Sequence, residues 1–381
     1  MTGFQLSSEE RQQQREMMAR LQAEMESAGG AIPFARFMEL ALYAPGLGYY
    51  VAGAAKFGAG GDFVTAPEIS PLFGRALGNP CAQVLEEIGK GDLLEFGAGT
   101  GLMASQVLQR LEELERLPGR YFILEVSPEL QRRQRETLER EVPHLLSRVE
   151  WLERLPRHFS GVMLANEVLD AMPVHRFRRG EGAVEEQWVA PSGEGLVVQW
   201  RPASPQVEAA VAVIEASVGT LAPGYVSEIN LNLRPWLAAV SESLDRGVLL
   251  LVDYGHPRAA YYHPQRHMGT LLCHFRHRAH DDPLLLPGLQ DITAHVDFTA
   301  VAEGAEAAGL ERLGYTTQAR FLVGCSLDRL LAESDPERVP EHMALVQGVK
   351  RLISPTGMGE QFKVMALGRG VSGDRMGFSG P

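Results

Sequence analysis

Apolar residues return every three to four positions from Phe34 to Tyr43 and from Leu102 to Leu114, the spacing of helices that bury one face. Elsewhere the chain changes rhythm. Asp92–Phe96, Tyr121–Val126, Gly161–Ala165 and Val248–Asp253 are short, mostly apolar runs, as in strands covered on both sides. Arg148–Trp151 reads as one more strand and Gln361–Leu367 as the last. Ser7 followed by Glu10 predicts a capped helix start, and Gly29-Gly30 its stop. Ser127-Pro128 predicts another start, with serine as N-cap and proline in the first turn. Alternating strands and helices call for a parallel sheet with helices on both faces, a Rossmann-like α/β core. Glu186–Ala190 and Leu196–Trp200 predict a hairpin around Pro191-Ser192-Gly193, and Leu233–Leu244 a helix stopped by Gly247. Residues 255–297, rich in His, Pro and Gly, read as irregular, with two or three helices between Phe298 and Ile353. Phe57–Glu68, glycine-rich in its first half, reads as a loop that holds no helix. These signals divide the chain into four parts. A helical N-terminal segment with a glycine-rich loop covers 1–75, and the core covers 76–255. An inserted helical and irregular accessory region follows over 256–355, and a final core strand and tail over 356–381.

Where the first core strand meets the next helix, the sequence is Leu94-Glu95-Phe96-Gly97-Ala98-Gly99-Thr100-Gly101. Glycines there let a ligand approach the backbone, and the helix start adds partial positive charge. The dinucleotide fingerprint would need a third glycine at 102, which is leucine, and this counts against a nicotinamide-dependent oxidoreductase. No Gly-Lys-Ser/Thr follows, so a P-loop is excluded. The pattern E-x-G-x-G-x-G instead resembles the first motif of class I methyltransferases. S-adenosylmethionine carries an ammonium, a carboxylate and a sulfonium rather than a pyrophosphate, so an acid beside the turn suits it. It is the expected cofactor, and Glu95, Gly97, Ala98, Gly99 and Gly101 are its first candidate contacts. Glu125 ends the second strand, where an acid accepts ribose hydroxyls in Rossmann folds. Glu150 and Trp151 end the third and are candidates for the edge and face of the adenine. Trp151 is equally at home as a core side chain. The fourth strand ends in Asn166-Glu167-Val168-Leu169-Asp170, facing the crevice of an open parallel sheet. The competing reading makes Asn166 a helix cap and the acids solvated.

Composition narrows the partners. Of 381 residues, 36 are Lys or Arg and 48 are Asp or Glu, a net charge of −12. Such a chain lacks the basic footprint of a nucleic-acid binder. The three cysteines, Cys81, Cys273 and Cys325, are few, odd in number and widely spaced, which fits a reducing compartment. With no apolar signal core and no uncharged apolar run of spanning length, the expectation is a cytoplasmic bacterial enzyme that does not insert into a membrane. His263, His267, His274, His277 and His280 cluster in the irregular region. They lack a Cys pair or HExxH, and no metal is expected.

Longer blocks carry a closer likeness. They are Leu42-Tyr43 with Gly48-Tyr49-Tyr50, Gly61 to Ser70, Glu95 to Gly101, Asn166-Glu167 with Asp170-Ala171, Asp253-Tyr254-Gly255, Asp291 to Phe298, and Met358-Gly359 with Phe362-Lys363. On these the chain resembles the MidA family of S-adenosylmethionine-dependent methyltransferases, from about Ile32 to Lys363. Ala98 departs from the bulkier residue or proline of many relatives. The resemblance implies a class I methyltransferase sheet and methylation of an arginine on a protein substrate. In the mitochondrial members that substrate is a respiratory complex I subunit. A guanidinium is cationic at physiological pH, so carboxylates would orient it. Glu167 and Asp170 are the leading candidates, with Asp62 beside them; Glu68, Asp253 and Asp297 come next, each able instead to cap a helix or brace a loop. Thr65, in the Gly61 to Ser70 block, joins the candidate cofactor contacts, and His295 is read as structural or substrate-orienting. A homodimer is left open. The alternative to an enzyme is an assembly factor that binds the cofactor without turnover.

Overall fold

The computed structural model describes residues 5–52, 64–193 and 195–378. Its centre is an eight-stranded sheet. In chain order the strands are β1 (Asp92–Phe96), β2 (Tyr121–Leu124), β3 (Val149–Leu152), β4 (Phe159–Asn166), β5 (Leu244–His256), β6 (Val296–Asp297), β7 (Glu311–Thr317) and β8 (Phe362–Arg369). They lie in the order β7-β8-β5-β4-β1-β2-β3, with β6 pairing off β5. All neighbours from β5 to β3 are parallel, and only β8 runs antiparallel, to both β5 and β7. The chain therefore has a mixed, largely parallel α/β sheet, as its alternating pattern predicts.

Residues alternate between the two faces along each strand, because successive side chains in a strand point oppositely. Val248, Leu250 and Val252 of β5 join one apolar layer and Leu249 and Leu251 the other; Val364 and Ala366 of β8 divide from Met365 and Leu367 in the same way. One layer is closed by α4 (Leu72–Ile88) and α5 (Leu102–Glu113), the other by helices Leu233–Ser243 and Phe298–Ala307. The N-terminal helices α1 (Ser8–Ser27) and α2 (Phe34–Tyr43) pack around Phe34, Phe37 and Tyr49 in a separate cluster. Ser7 and Glu10 make the expected capping box at the start of α1.

The structure adds to and departs from the sequence reading in several places. Leu72–Ile88, for which the sequence analysis gives no element, is a 17-residue helix that holds Gly74, Gly78 and Pro80 within it. Gly74 lies where a Cβ would meet the Gln106 side chain at 2.5 Å, so that glycine serves close helix packing rather than a turn. Ala66–Ile69 is a helical turn, α3, where the sequence predicts a loop without helix; Pro67 sits in its first turn and the Glu68 carboxylate accepts from the Thr65 N–H at 3.3 Å. Residues 255–297 contain a small sheet of Leu272–Phe275, Arg278–His280 and Asp291–Thr293. Within the stretch expected to be helical, Glu311–Thr317 forms β7, the outer partner of β8. The predicted hairpin exists as Val184–Ser192 and Gly195–Pro202, and belongs to a second, five-stranded sheet with Ile32–Pro33, His175–Arg179 and Val226–Ile229.

Candidate functional site

A cavity of about 630 Å³ opens at the C-terminal ends of β1, β2, β4 and β5. This is where an open parallel sheet gathers its ligands. Its floor is the turn from Glu95 to Thr100, with Leu124 and Glu125, then Asn166 to Val168 and Asp170. Its far walls are Tyr43, Tyr50 and the α3 segment, and Tyr254, His295 and Phe362.

Gly97 and Gly99 have φ of +58° and +53°, and a Cβ on either would meet nothing within 4 Å. The turn needs the left-handed conformation and leaves open space above it. α5 then starts from Gly101. Glu95, on β1, is 1 % exposed and accepts a hydrogen bond from the Tyr121 hydroxyl at 2.6 Å. Burial pushes its carboxyl up to about 7 against that bond. Glu125, 6 % exposed, accepts from the Ser127 N–H at 2.9 Å and from the Gln134 amide at 3.0 Å. Burial raises its pKa, which those donors partly offset.

At the end of β4, Glu167 has φ +53°, an uncommon conformation for a residue with a side chain. Its backbone N–H is bonded to the Val252 carbonyl at 2.9 Å, and its carboxylate accepts from the Asn166 amide at 3.2 Å. Desolvation, reinforced by the Asp170 charge, pushes Glu167 up to about 8. Asp170 is 4 % exposed, and burial lifts it to about 6. Asp170 Oδ1 and Asn166 Oδ1 are buried at this wall with no hydrogen-bond partner. Such atoms are expensive to leave unmet, so a ligand with donors fits here.

Asp253 turns away from the cavity. It accepts from the backbone N–H groups of Leu169 at 2.9 Å, Asp170 at 3.2 Å and Tyr254 at 2.9 Å, and so holds the turn after β4 in shape. Asp297 caps the Phe298–Ala307 helix through the N–H groups of Thr299 and Ala300, and also meets Arg258 at 3.0 Å.

Of the residues singled out in the sequence, Glu95, Gly97, Ala98, Gly99, Glu125, Asn166, Glu167, Asp170 and Thr65 all line this one cavity. Gly101 packs behind the turn, where a Cβ would sit 3.0 Å from Cα of Gln134. Glu150 is exposed and Trp151 half-buried; neither is in the cavity wall, and the Trp151 indole N–H donates to Gln134 at 2.9 Å. Asp62 lies outside the described residues. Sequence reasoning assigned nothing to Tyr43 and Tyr50, whose rings stack at 5.5 Å in the wall, or to Gln134, which is fully buried. The tyrosines stood inside a noted block, Leu42-Tyr43 with Gly48-Tyr49-Tyr50; Gln134 carried no local signal. Among the described residues, no group of three or more His, Cys, Asp or Glu is placed to hold a metal ion.

Residues 76–316 match the family described as "Putative S-adenosyl-L-methionine-dependent methyltransferase", Methyltransf_28. The chain belongs to this family. Its cofactor is accordingly S-adenosyl-L-methionine. A COG1565 superfamily member from Burkholderia thailandensis, crystallised bound to S-adenosyl-homocysteine, is 44 % identical to this methyltransferase-family chain; the alignment covers 99 % of this chain and 98 % of that one at a TM-score of 0.95. A second crystal structure from the same organism, of an uncharacterised protein, is 43 % identical over the same shares at 0.92. The mitochondrial protein arginine methyltransferase NDUFAF7 of Danio rerio is 32 % identical over 89 % of this chain and 84 % of its own length. No helix among the described residues is long and apolar enough to cross a membrane.

Proposed function

We propose that this methyltransferase modifies an arginine side chain of a protein, with Glu167 and Asp170 holding the guanidinium and Glu125 accepting the cofactor's ribose hydroxyls. The observation that carries the reading is the pair of buried carboxyls at one wall of the cavity, with Asp170 Oδ1 unpartnered and both acids pushed up in pKa. Two acids held above their ordinary range relax when a cation enters. A guanidinium brings that charge together with several N–H donors in one plane, which matches carboxylate geometry. The arginine methyltransferase named in zebrafish, similar over most of its length, supports the same substrate class.

Bound S-adenosyl-L-methionine supplies a methyl group made electrophilic by its sulfonium. The chain's residues supply the rest. Entry of the guanidinium drives the Glu167 proton out, and the resulting carboxylate aims one nitrogen while Asp170 localises charge on another. As the methyl carbon exchanges its bond to sulfur for one to that nitrogen, S-adenosyl-homocysteine is the leaving group and the nitrogen sheds one proton, which the Glu167 carboxylate receives and passes to solvent. Tyr43, Tyr50 and the α3 segment keep water from the reacting atoms.

The test is transfer of a radiolabelled methyl group into a bacterial lysate, followed by mapping of the labelled residue. Label on a protein arginine is expected, and a respiratory complex I subunit or its bacterial counterpart is the first protein to examine. Label confined to another residue type or to a small molecule would overturn the reading.

A further inference from the structure

Gln134 projects from α6 (Pro128–Glu141) into the space behind the cofactor cavity and is 0 % exposed. Its amide meets three separate elements. Nε2 donates to the Gly99 carbonyl at 3.2 Å, in the turn after β1, and to Glu125 Oε2 at 3.0 Å, at the end of β2. Oε1 accepts from the indole N–H of Trp151 at 2.9 Å, on β3. The orientation of this amide follows from the network. Turned over, its NH2 would face the Trp151 N–H, and its oxygen would face a carbonyl and a carboxylate. The helix is itself locked to the turn, since the Gln134 backbone lies within 3.0–3.2 Å of where a Cβ on Gly101 would be. Trp151 is held in turn by the Arg135 guanidinium, 4.2 Å above its ring. The Glu125 carboxylate thus has one oxygen fixed by its own loop, through the Ser127 N–H, and the other by Gln134.

We infer that Gln134 is a positioning residue for the nucleoside half of the cofactor. One buried amide sets the Glu125 carboxylate and the Gly99 carbonyl at a fixed separation, and Trp151 acts as its anchor rather than as a ligand contact. The inference rests on the proposed role of Glu125 as ribose acceptor. Without the amide, Glu125 keeps the Ser127 N–H on its first oxygen but loses the donor that sets its second. Cofactor affinity then falls through the ribose hydroxyls and not through the methionine end.

The experiment compares S-adenosyl-homocysteine with its 2′,3′-dideoxy analogue by calorimetry, in the full-length protein and in Gln134→Met. In the unaltered protein the loss of both hydroxyls should weaken binding about tenfold or more, as for a hydrogen bond to a charged group. In Gln134→Met, S-adenosyl-homocysteine should weaken by a similar factor while the analogue barely changes, so that the two ligands come within about threefold. If Gln134→Met discriminates between them as strongly as the unaltered protein, the inference is overturned and the residue is structural only. If the unaltered protein itself fails to discriminate, the ribose role of Glu125 fails instead. Should Gln134→Met not fold, Gln134→Asn keeps an amide one methylene too short to reach all three partners, and the same comparison decides.

Discussion

Glu167 carries two tensions at once, a left-handed backbone and a carboxyl lifted to about 8. A side chain at positive φ costs roughly 1–2 kcal/mol, and such residues gather where function requires them. Glu167→Gln keeps the shape and removes the charge. Cofactor affinity is expected to change by less than about tenfold, while methyl transfer falls roughly a hundredfold or more, the scale of losing one electrostatic contact at a reacting centre. If cofactor binding collapses instead, the residue belongs to the cofactor. The pKa shift makes a second prediction. Between the ordinary carboxyl value of 4.5 and about 8 the folded protein holds a proton at Glu167 that the unfolded chain has released. Stability of the empty protein should therefore fall as pH rises through that window, with a slope of up to about 1.4 kcal/mol per pH unit from this one group. Denaturant titrations at several pH values should show this slope added to those of Glu95 and Asp170, and Glu167→Gln should make the dependence shallower by its own share, most clearly between about 7 and 8. None of this was visible in the letters. The sequence places an acid at a strand end, but its φ and its desolvation depend on β5 and on Asp170.

At the scale of elements, legibility followed the periodicity. The parallel strands could be read because their apolar runs are continuous, and the 95–101 turn because its glycines stand between a strand and a helix. α4 is masked by its own composition, with Pro80 mid-helix and with Gly74 and Gly78 placed where the α5 side chains Gln106 and Arg110 leave no room for a Cβ, and β7 by side chains that are only half-covered. The α3 segment shows how tertiary contacts order a stretch with loop-like composition. Gln106 of α5 donates to the Pro67 carbonyl at 2.9 Å and accepts from the Gly74 N–H at 3.1 Å, tying α3, α4 and α5 together. Val64, Thr65, Pro67, Glu68 and Ile69 thereby become cavity wall. Amide hydrogen exchange across 64–70 should slow severalfold when S-adenosyl-homocysteine binds. Unchanged protection there, alongside slowing at 97–101, would mean that the ligand does not reach this wall.

For the whole molecule, the order of strands in space differs sharply from their order in the chain. β8 lies between β5 and β7 and exchanges hydrogen bonds with both, and Phe362 at its start also lines the cavity. A chain ending at residue 361 should leave β7 without a neighbour and both apolar layers open beside β5. Loss of such a strand should exceed typical marginal stabilities of about 5–15 kcal/mol, so the shortened protein is expected to lack a cooperative melting transition and to bind no S-adenosyl-homocysteine. A sharp transition with cofactor affinity retained would show that the sheet closes without β8.

That arrangement also has a consequence in time. A growing polypeptide makes β1, the glycine turn and the acids of β4 long before it makes the strand that completes their sheet. During synthesis the half-built sheet exposes the β5 edge and the apolar faces that β8 covers, and β7 waits for a partner made some forty-five residues later (Thr317 to Phe362). Long-range pairing of this kind is slow, because the loop must close before contacts reward it. The part of the cavity wall that Phe362 supplies therefore forms only after β8 has been made, so a chain halted before residue 362 has the glycine turn and the acids of β4 without a complete site.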